Sequence, residues 1–458
     1  MKASELSDAY DLAVIGAGPA GLAAATSAAR LGLSTVLFDE QSGPGGQIYR
    51  AVTHTPLRAT KILGDEYWRG AALWSDFSAS GAAYCPGTTV WSLSRDREVG
   101  VSIDGVARLV SARQVVLATG ALERPFPIPG WTLPGVMTAG AAQILLKTGG
   151  LVGQGRVVLA GCGPLLWLIA WQYLNAGKTI DAILDTTPRG NWAAAWPHLP
   201  AFLASRYLKK GLKLMLAVRR AVRVIGNVTA LRAEGQARVE RIVYRCGDGA
   251  EQSLPVDLLL LHQGVAPNVN LASSVGCAHE WDPRQLSWRP RLDDWLRTSV
   301  AGIRIAGDGA GIAGAEAAEA RGRIAAVGAA LALERCSEAE AAQAVHEPRL
   351  DLAAAERGRT FLDVLYRPAP QFRVPEGDTL VCRCEEVSAA QVVEAVKLGC
   401  TGPNQLKSFL RCGMGPCQGR LCGLTVTELI ASARGMTPAD VGYYRLRPPV
   451  KPITLAEL

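Results

Sequence analysis

The sequence predicts an α/β protein: two Rossmann-like dinucleotide-binding domains, the second inserted within the first, then a small, mainly α C-terminal domain. Three observations predict it. "DLAVIGAGPAGLAAATSAARLGLSTVLFDE" (11–40) runs as an apolar strand, a glycine turn, an alanine-rich helix and a second strand ending in acid. "GRVVLAGCGPLLWLIAWQYLNAGKTIDAILD" (155–185) repeats that order. Six of the eleven cysteines, Cys382, Cys384, Cys400, Cys412, Cys417 and Cys422, then fall within 41 residues. The expected division is 1–150 and 297–334 for the first domain, 151–296 for the insert, 335–375 for a polar connector and 376–458 for the cysteine-rich domain.

In the first unit Gly16 permits a tight turn, Gly18 lets the backbone approach a pyrophosphate, and Gly21 lets helix and strand pack closely. Pro19 and Ala20 open the helix, whose N-terminal amides and dipole suit phosphate oxygens. Asp39, with Glu40 beside it, stands 23 residues after Gly16, where a carboxylate accepts hydrogen bonds from a ribose. Three further segments follow in order: "GPGGQIYR" (43–50), "VVLATGALERP" (115–125) and "GIRIAGDGAGIAGAEAAEARGRIAA" (302–326). With them the chain resembles the two-dinucleotide-domain flavoproteins, the thioredoxin-reductase and glutathione-reductase group. That resemblance implies FAD. It places Gly45, Gly46 and Gln47 beside the flavin, Ala118, Thr119 and Gly120 at the end of a strand lining the site, and Asp308, after Gly307, on the ribityl chain. The helix after Asp308 would aim its positive end at the pyrimidine edge of the isoalloxazine.

The second unit keeps Asp185 at the ribose-acid position, and "DLLLLHQGVAPNVNL" (257–271) looks like the segment that closes such an insert. Its fingerprint is damaged, however. Leu166 replaces the third glycine and Trp167 follows, so a side chain is expected to crowd a pyrophosphate. This opposes NAD(P) binding and favours a retained scaffold. The first 380 residues hold no CxxC pair, which excludes the disulfide relay of thioredoxin-type reductases. His54, His198, His262, His279 and His346 are isolated in sequence. His262 ends a buried strand and reads as a satisfied structural histidine, so the sequence assigns no catalytic residue.

Composition narrows the function classes. Hydrophobic content of 49% and charged content of 19% describe an ordinary globular chain. Residues 157–174 approach transmembrane length, but "GCGP" in the middle makes them strand, turn and helix. Acidic residues near the N-terminus do not fit a signal peptide, so a cytoplasmic protein is expected. A net charge of +7, without aromatic–basic interleaving, gives no nucleic-acid binder. "RYLKKGLKLMLAVRRAVRV" (206–224) reads as a solvated helix face leading into a strand. The competing reading is a docking patch for an acidic partner or for the inner face of the cytoplasmic membrane.

Clustered cysteines in a chain without an export signal point to metal or redox chemistry. In an extended segment Cys382 and Cys384 project to one side. A helix is expected over 388–399 with Ser388 as its cap, a second over 403–409, and a third from Pro416. Cys417 and Cys422 are about 140° apart on a helix. They can share a site only if Cys417 lies in the turn and Cys422 on the first helical turn. A helix N-terminus, with Arg383, Lys407, Arg411 and Arg420 nearby, would then ease the charge of an anionic cluster. Zinc is the competing metal, but C-x-C with C-x4-C is not its usual C-x2-C knuckle. A flavin without a disulfide relay asks for a one-electron carrier, which favours [2Fe-2S]. Six thiols then compete for four places. "CRCEEV" and "GMGPCQGRLC" resemble the bacterioferritin-associated-ferredoxin-type [2Fe-2S] domain. That resemblance selects Cys382, Cys384, Cys417 and Cys422, with Cys412 as a reserve ligand and Cys400 outside the pattern.

"GGQIYR", "ERPFPIPGWTLPGVMTAGAAQILLK" (123–147), "GCGPLL" and the cysteine domain, in that order, extend the resemblance over nearly the whole chain. It is similar to the α-type subunits of heteromeric amino-acid dehydrogenases: opine oxidases, D-hydroxyproline and proline dehydrogenases, and the FAD/iron-sulfur subunit of hydrogen cyanide synthase. The resemblance implies an oxidoreductase subunit that relays electrons to a quinone or cytochrome. A β subunit of the glycine- or sarcosine-oxidase type would oxidise the C–N bond of an opine such as octopine or nopaline, of D-hydroxyproline, of proline or of glycine. It also allows a small γ subunit, and an FMN at the α/β boundary. The competing readings are a self-contained NAD(P)H-dependent reductase and a scaffold with structural zinc.

Overall fold

Uninterrupted runs of Val, Leu and Ile make strands buried on both faces, and such strands form the two sheets that carry the molecule. The computed structural model describes residues 3–58 and 61–458. In the first sheet β1 (Ala9–Ile15), β2 (Thr35–Phe38), β3 (Ala83–Cys85), β4 (Thr88–Leu93), β5 (Glu98–Ile103) and β6 (Val106–Leu117) lie in the order β3-β2-β1-β6-β5-β4. β1 runs parallel to β2 and β6, with Ile15 opposite Phe38 and Leu117. The strand Ile303–Ile305 returns from far along the chain to pair in parallel with β6. β3 is parallel to β2, with Cys85 opposite Phe38, so five strands end at one edge. Helix α1 (Pro19–Arg30) and the helix Ala315–Ala332 both start beyond that edge. Glycine lets them cross closely: a Cβ on Gly322 would fall 2.2 Å from the Ala20 carbonyl oxygen.

The second sheet is all parallel, in the order Val224–Ile225, Ala182–Asp185, Val157–Gly161, Leu258–His262, Val136–Thr138. The stretch feeding it therefore begins before residue 151. The segment 157–174 divides into the strand Val157–Gly161 and the helix Pro164–Asn175, as its central glycines require. No helix among the described residues is long and apolar enough to cross a membrane. An antiparallel pair, Ala121–Glu123 with Val265–Pro267, runs between the sheets. The connector is helical over Glu338–Ala344, His346–Glu356 and Arg359–Leu365, and it buries Ala341, Val345, Ala355, Phe361 and Leu365.

In the cysteine domain a short strand pair, Leu380–Cys382 with Val387–Ser388, leads into the helix Ala389–Lys397. The Ser388 hydroxyl accepts from the Gln391 amide at 3.3 Å, a capping box. The second helix is Pro403–Leu410. The third does not start at Pro416, as the sequence led us to expect, but at Gly423. Gln418 and Gly419 adopt φ of +48° and +76°, and left-handed backbone cannot propagate a right-handed helix.

This domain is fastened by charge. Glu428, on the third helix and only 4% exposed, pairs with Arg124 at 3.8 Å and with Arg373. Trp131 Nε1 also donates to the Leu380 carbonyl at 2.8 Å. The C-terminal tail returns to the first sheet, where the Val450 amide donates to the Trp91 carbonyl at 2.8 Å. A buried carboxylate is tolerable only with its partners. Glu428→Gln leaves two guanidiniums facing each other without a countercharge. We expect it to lose about 3–5 kcal/mol, read as an earlier urea transition, and an unchanged midpoint would contradict this arrangement.

Candidate functional site

The first glycine turn is closed by contacts that exclude side chains. A Cβ on Gly16 (φ +106°) would lie 2.5 Å from the Ala118 carbonyl oxygen, and one on Gly21 would lie 1.7 Å from the Gly16 oxygen. The Gly45 amide donates to the Ala17 carbonyl at 2.8 Å, which seats the Gly45–Gly46–Gln47 turn against the first. Gly18 faces Gly46, and a Cβ on Gly46 would come within 2.8 Å of the Gly18 Cα. Beneath this turn lies Lys147, buried, with Nζ 3.0 Å from the Gln47 oxygen, 2.9 Å from the Ile48 oxygen and 2.9 Å from Gln143 Oε1. Burial pushes its pKa down to about 7, yet three oxygens are placed for its three ammonium protons.

Asp39 is buried at the mouth of the turn, accepting from the Ala17 amide at 2.5 Å and the Gln41 amide at 2.7 Å. Burial pushes its carboxyl upward. Glu40 is exposed and pairs with Lys451 at 2.5 Å, so of the two acids Asp39 is the one beside the glycines. Asp308 Oδ1 accepts from the amides of Ala313 and Gly314 at 2.9 and 3.0 Å, bracing the entry to the helix Ala315–Ala332. A Cβ on Gly307 would touch Ala20, and one on Gly309 would touch Thr119 and Gly120. Gly16 to Gly21, Asp39, Gly45 to Gln47, Ala118 to Gly120, and Gly307 with Asp308 therefore meet at one sheet edge. A dinucleotide fits there: side-chain-free amides at a helix N-terminus suit the pyrophosphate, and the Asp39 oxygens suit a ribose.

The second glycine turn differs. Gly161 (φ +134°) packs on the His262 carbonyl, as the fingerprint requires. Leu166 and Trp167 turn into the core, with the Arg219 guanidinium 5.5 Å from the indole. What crowds the turn is the connector. Cys162 Sγ lies 3.5 Å from the Tyr366 carbonyl oxygen, and Asn191 Nδ2 donates to the Leu365 and Arg367 carbonyls, both at 2.9 Å. Burial, with Asp185 and Cys162 nearby, pushes the Tyr366 hydroxyl up. His262 Nδ1 lies 2.6 Å from Glu123 Oε1, and Glu123 Oε2 accepts from the Gly140 amide at 2.9 Å. The buried histidine is thus satisfied, by an acid 139 residues away that no spacing rule joins to it.

In the C-terminal domain the sulfurs of Cys382, Cys412 and Cys422, all buried, lie within 4.8 Å of one another. Cys417 neighbours both Cys422 and Cys384, so five thiols converge. Those contacts hold Cys417 down to about 5, and hydrogen bonds from Cys412 and Cys422 pull Cys382 well down. Cys400 stands apart, its sulfur 3.5 Å from the Gly402 carbonyl oxygen. Cys417 lies in the turn and Cys422 is the N-cap of the helix Gly423–Arg434, so that helix points its positive end at the thiols. Arg383 lies over Trp131, Arg411 pairs with Glu385 and Arg420 donates to the Val450 carbonyl, whereas Lys407, donating to the Arg445 carbonyl, also lies 5.2 Å from the ring of Tyr444, whose hydroxyl donates to Cys412. An all-sulfur donor set within this span fits a thiolate-held metal centre, whose metal–sulfur bonds are about 2.3 Å.

Two further hydrogen bonds join the sites. The Asn268 amide donates to the Gly120 carbonyl at 2.9 Å, and Asn270 Nδ2 donates to the carbonyl of Gln418, next to Cys417, at 2.9 Å. A narrow cleft lined by Glu123, Asn270, Trp288, Arg420 and Tyr443 lies alongside.

The family model described as pyridine nucleotide-disulphide oxidoreductase matches residues 10–348, and that of the sarcosine oxidase A3 domain matches residues 376–458. The chain is 49% identical over 466 residues to the A subunit of opine oxidase from Agrobacterium tumefaciens (strain Ach5), spanning 100% of this chain and 92% of that one. It is 34% identical over 462 residues to the HcnB subunit of hydrogen cyanide synthase from Pseudomonas aeruginosa, spanning 96% of each. Its fold is similar to that of L-proline dehydrogenase from P. horikoshii, with a TM-score of 0.73 at 19% identity, over 98% of this chain and 79% of that one. Fingerprint, sheet order and thiol-bearing last domain agree with these likenesses: the chain is a flavoprotein oxidoreductase subunit that belongs to the pyridine nucleotide-disulphide oxidoreductase family, in the group of the opine oxidase A subunits.

Proposed function

We propose that the chain is the FAD- and [2Fe-2S]-containing α subunit of a heteromeric dehydrogenase, relaying electrons taken from the C–N bond of an amino or imino acid. The observation that carries this reading is the short bridge from the flavin-side strand end at Gly120, through residues 268–270, to the backbone beside Cys417. FAD accepts two electrons at once, whereas a [2Fe-2S] centre passes them singly. Gly16, Gly18, Pro19, Ala20, Gly21, Asp39, Gly45, Gly46, Gln47, Ala118, Thr119, Gly120, Gly307 and Asp308 would hold and orient the dinucleotide. Cys382, Cys384, Cys417 and Cys422 would ligate the irons.

Substrate chemistry falls to a β subunit of the glycine- or sarcosine-oxidase type. An FMN at its boundary with this chain and a small γ subunit complete the assembly, and a quinone or cytochrome takes the electrons. The name of the relative, opine oxidase, supports an opine as substrate. Tyr366 over the second glycine turn argues against a self-contained NAD(P)H reductase. Anaerobic rapid mixing tests this directly. NADH should leave the flavin of the purified chain oxidised, whereas octopine or nopaline should bleach it in the complex with its β subunit. Prompt bleaching by NADH alone would overturn the proposal.

The helix Arg206–Ala221 buries only Val218 and exposes Leu212 and Leu216 beside Lys209 and Lys213. We assign it to peripheral contact with an anionic membrane. The chain should float with anionic liposomes at low salt and be released at high salt. Flotation equal on neutral liposomes would contradict that role.

A further inference from the structure

Five thiols surround a centre that takes four, and their placement says which can be exchanged. Each iron of a [2Fe-2S] centre binds two cysteine sulfurs and two bridging sulfides. Cys382, Cys412 and Cys422 lie within 4.8 Å of one another, close enough for any two of them to share one metal. Cys384 and Cys417 are not in that trio; they neighbour each other, with Cys417 also beside Cys422. Cys412 is fully buried, which removes solvent-borne reagents and external partners from its role. Its position is also fixed. Arg411 and Gly413 on either side have φ of +56° and +85°, and a Cβ on Gly413 would strike the Tyr444 ring at 2.4 Å. The Tyr444 hydroxyl donates to Cys412 Sγ at 3.5 Å and lies 3.7 Å from Cys422 Sγ.

We propose that Cys412 is an exchangeable iron ligand that substitutes for Cys382 or Cys422, and not for Cys384 or Cys417. This rests on the reading of the thiols as a [2Fe-2S] site. In the exchange the Fe–S bond to the lost thiolate breaks and one to Cys412 forms. The Cys412 proton passes to the released thiolate beside it, and no electron moves. A chain built this way keeps its iron when either neighbour in the trio is lost as a ligand.

The test is the iron and acid-labile sulfide of the purified FAD-loaded chain, with EPR after dithionite reduction. Alanine replaces cysteine, because a serine oxygen can itself bind iron. Cys382→Ala and Cys422→Ala should keep close to the wild-type iron with shifted g-values. Each combined with Cys412→Ala should lose it, and so should Cys384→Ala and Cys417→Ala. Cys412→Ala alone should match the wild type. Iron lost from Cys382→Ala and Cys422→Ala while FAD is retained would overturn the exchange, as would iron lost from Cys412→Ala alone. If the alanine variants do not fold, serine at the same positions keeps the volume. Iron lost only in Cys382→Ser/Cys412→Ser then supports the proposal, and iron lost already from Cys382→Ser while FAD is retained overturns it. A wild-type chain without iron would instead refute the functional reading itself.

Discussion

One buried carboxylate couples the two halves of this molecule. Glu428 sits on the helix whose N-cap is Cys422, and Arg124 directly follows the strand Ala121–Glu123, next after Ala118, Thr119 and Gly120. Their pairing, reinforced by Arg373, sets the thiol-bearing helix against the flavin-side strand. Charges removed from water this completely are costly unless each meets its partner. The geometry at this point is therefore set by electrostatics as much as by apolar packing. Everything proposed about transfer between the sites depends on that registration, because the Asn270 to Gln418 hydrogen bond exists only when the two surfaces are in place.

The second nucleotide fold is intact in architecture, and its glycine turn is covered by another part of the chain. Its five parallel strands stand in full, and Gly161 still makes its tight contact with the next strand. The connector's residues 365–367 are drawn over the turn by Asn191 and Cys162, where a phosphate would otherwise approach. The sheet anchors the connector through these contacts.

Much of this was legible in the residues, for local reasons. The turn at Gly16 to Gly21, the acid at Asp39 and the helix cap at Ser388 are short-range features, and residue type constrains each of them. Cys417 in a turn with Cys422 beginning a helix followed from helical geometry. The misplaced start of the third helix has a physical cause: Gln418 takes a left-handed conformation usually left to glycine, and nothing in its identity announces that. Lys147 under the Gln47 turn, Glu123 on His262 and Tyr366 over the second turn were hidden because each pairs residues distant in sequence. Cys412, expected only as a reserve ligand just before the motif, is brought by the fold to the sulfurs of Cys382 and Cys422.

The central claim is that reducing equivalents pass between a flavin held at the first glycine turn and an iron–sulfur centre held by the C-terminal thiols. The most direct measurement is anaerobic photoreduction of the flavin in the intact chain, followed by low-temperature EPR and iron analysis of the same sample. The account predicts the signal of a reduced [2Fe-2S] centre, about one spin for every two irons, appearing as the flavin is bleached. A bleached flavin beside an EPR-silent iron centre, or a protein that contains no iron, would contradict it.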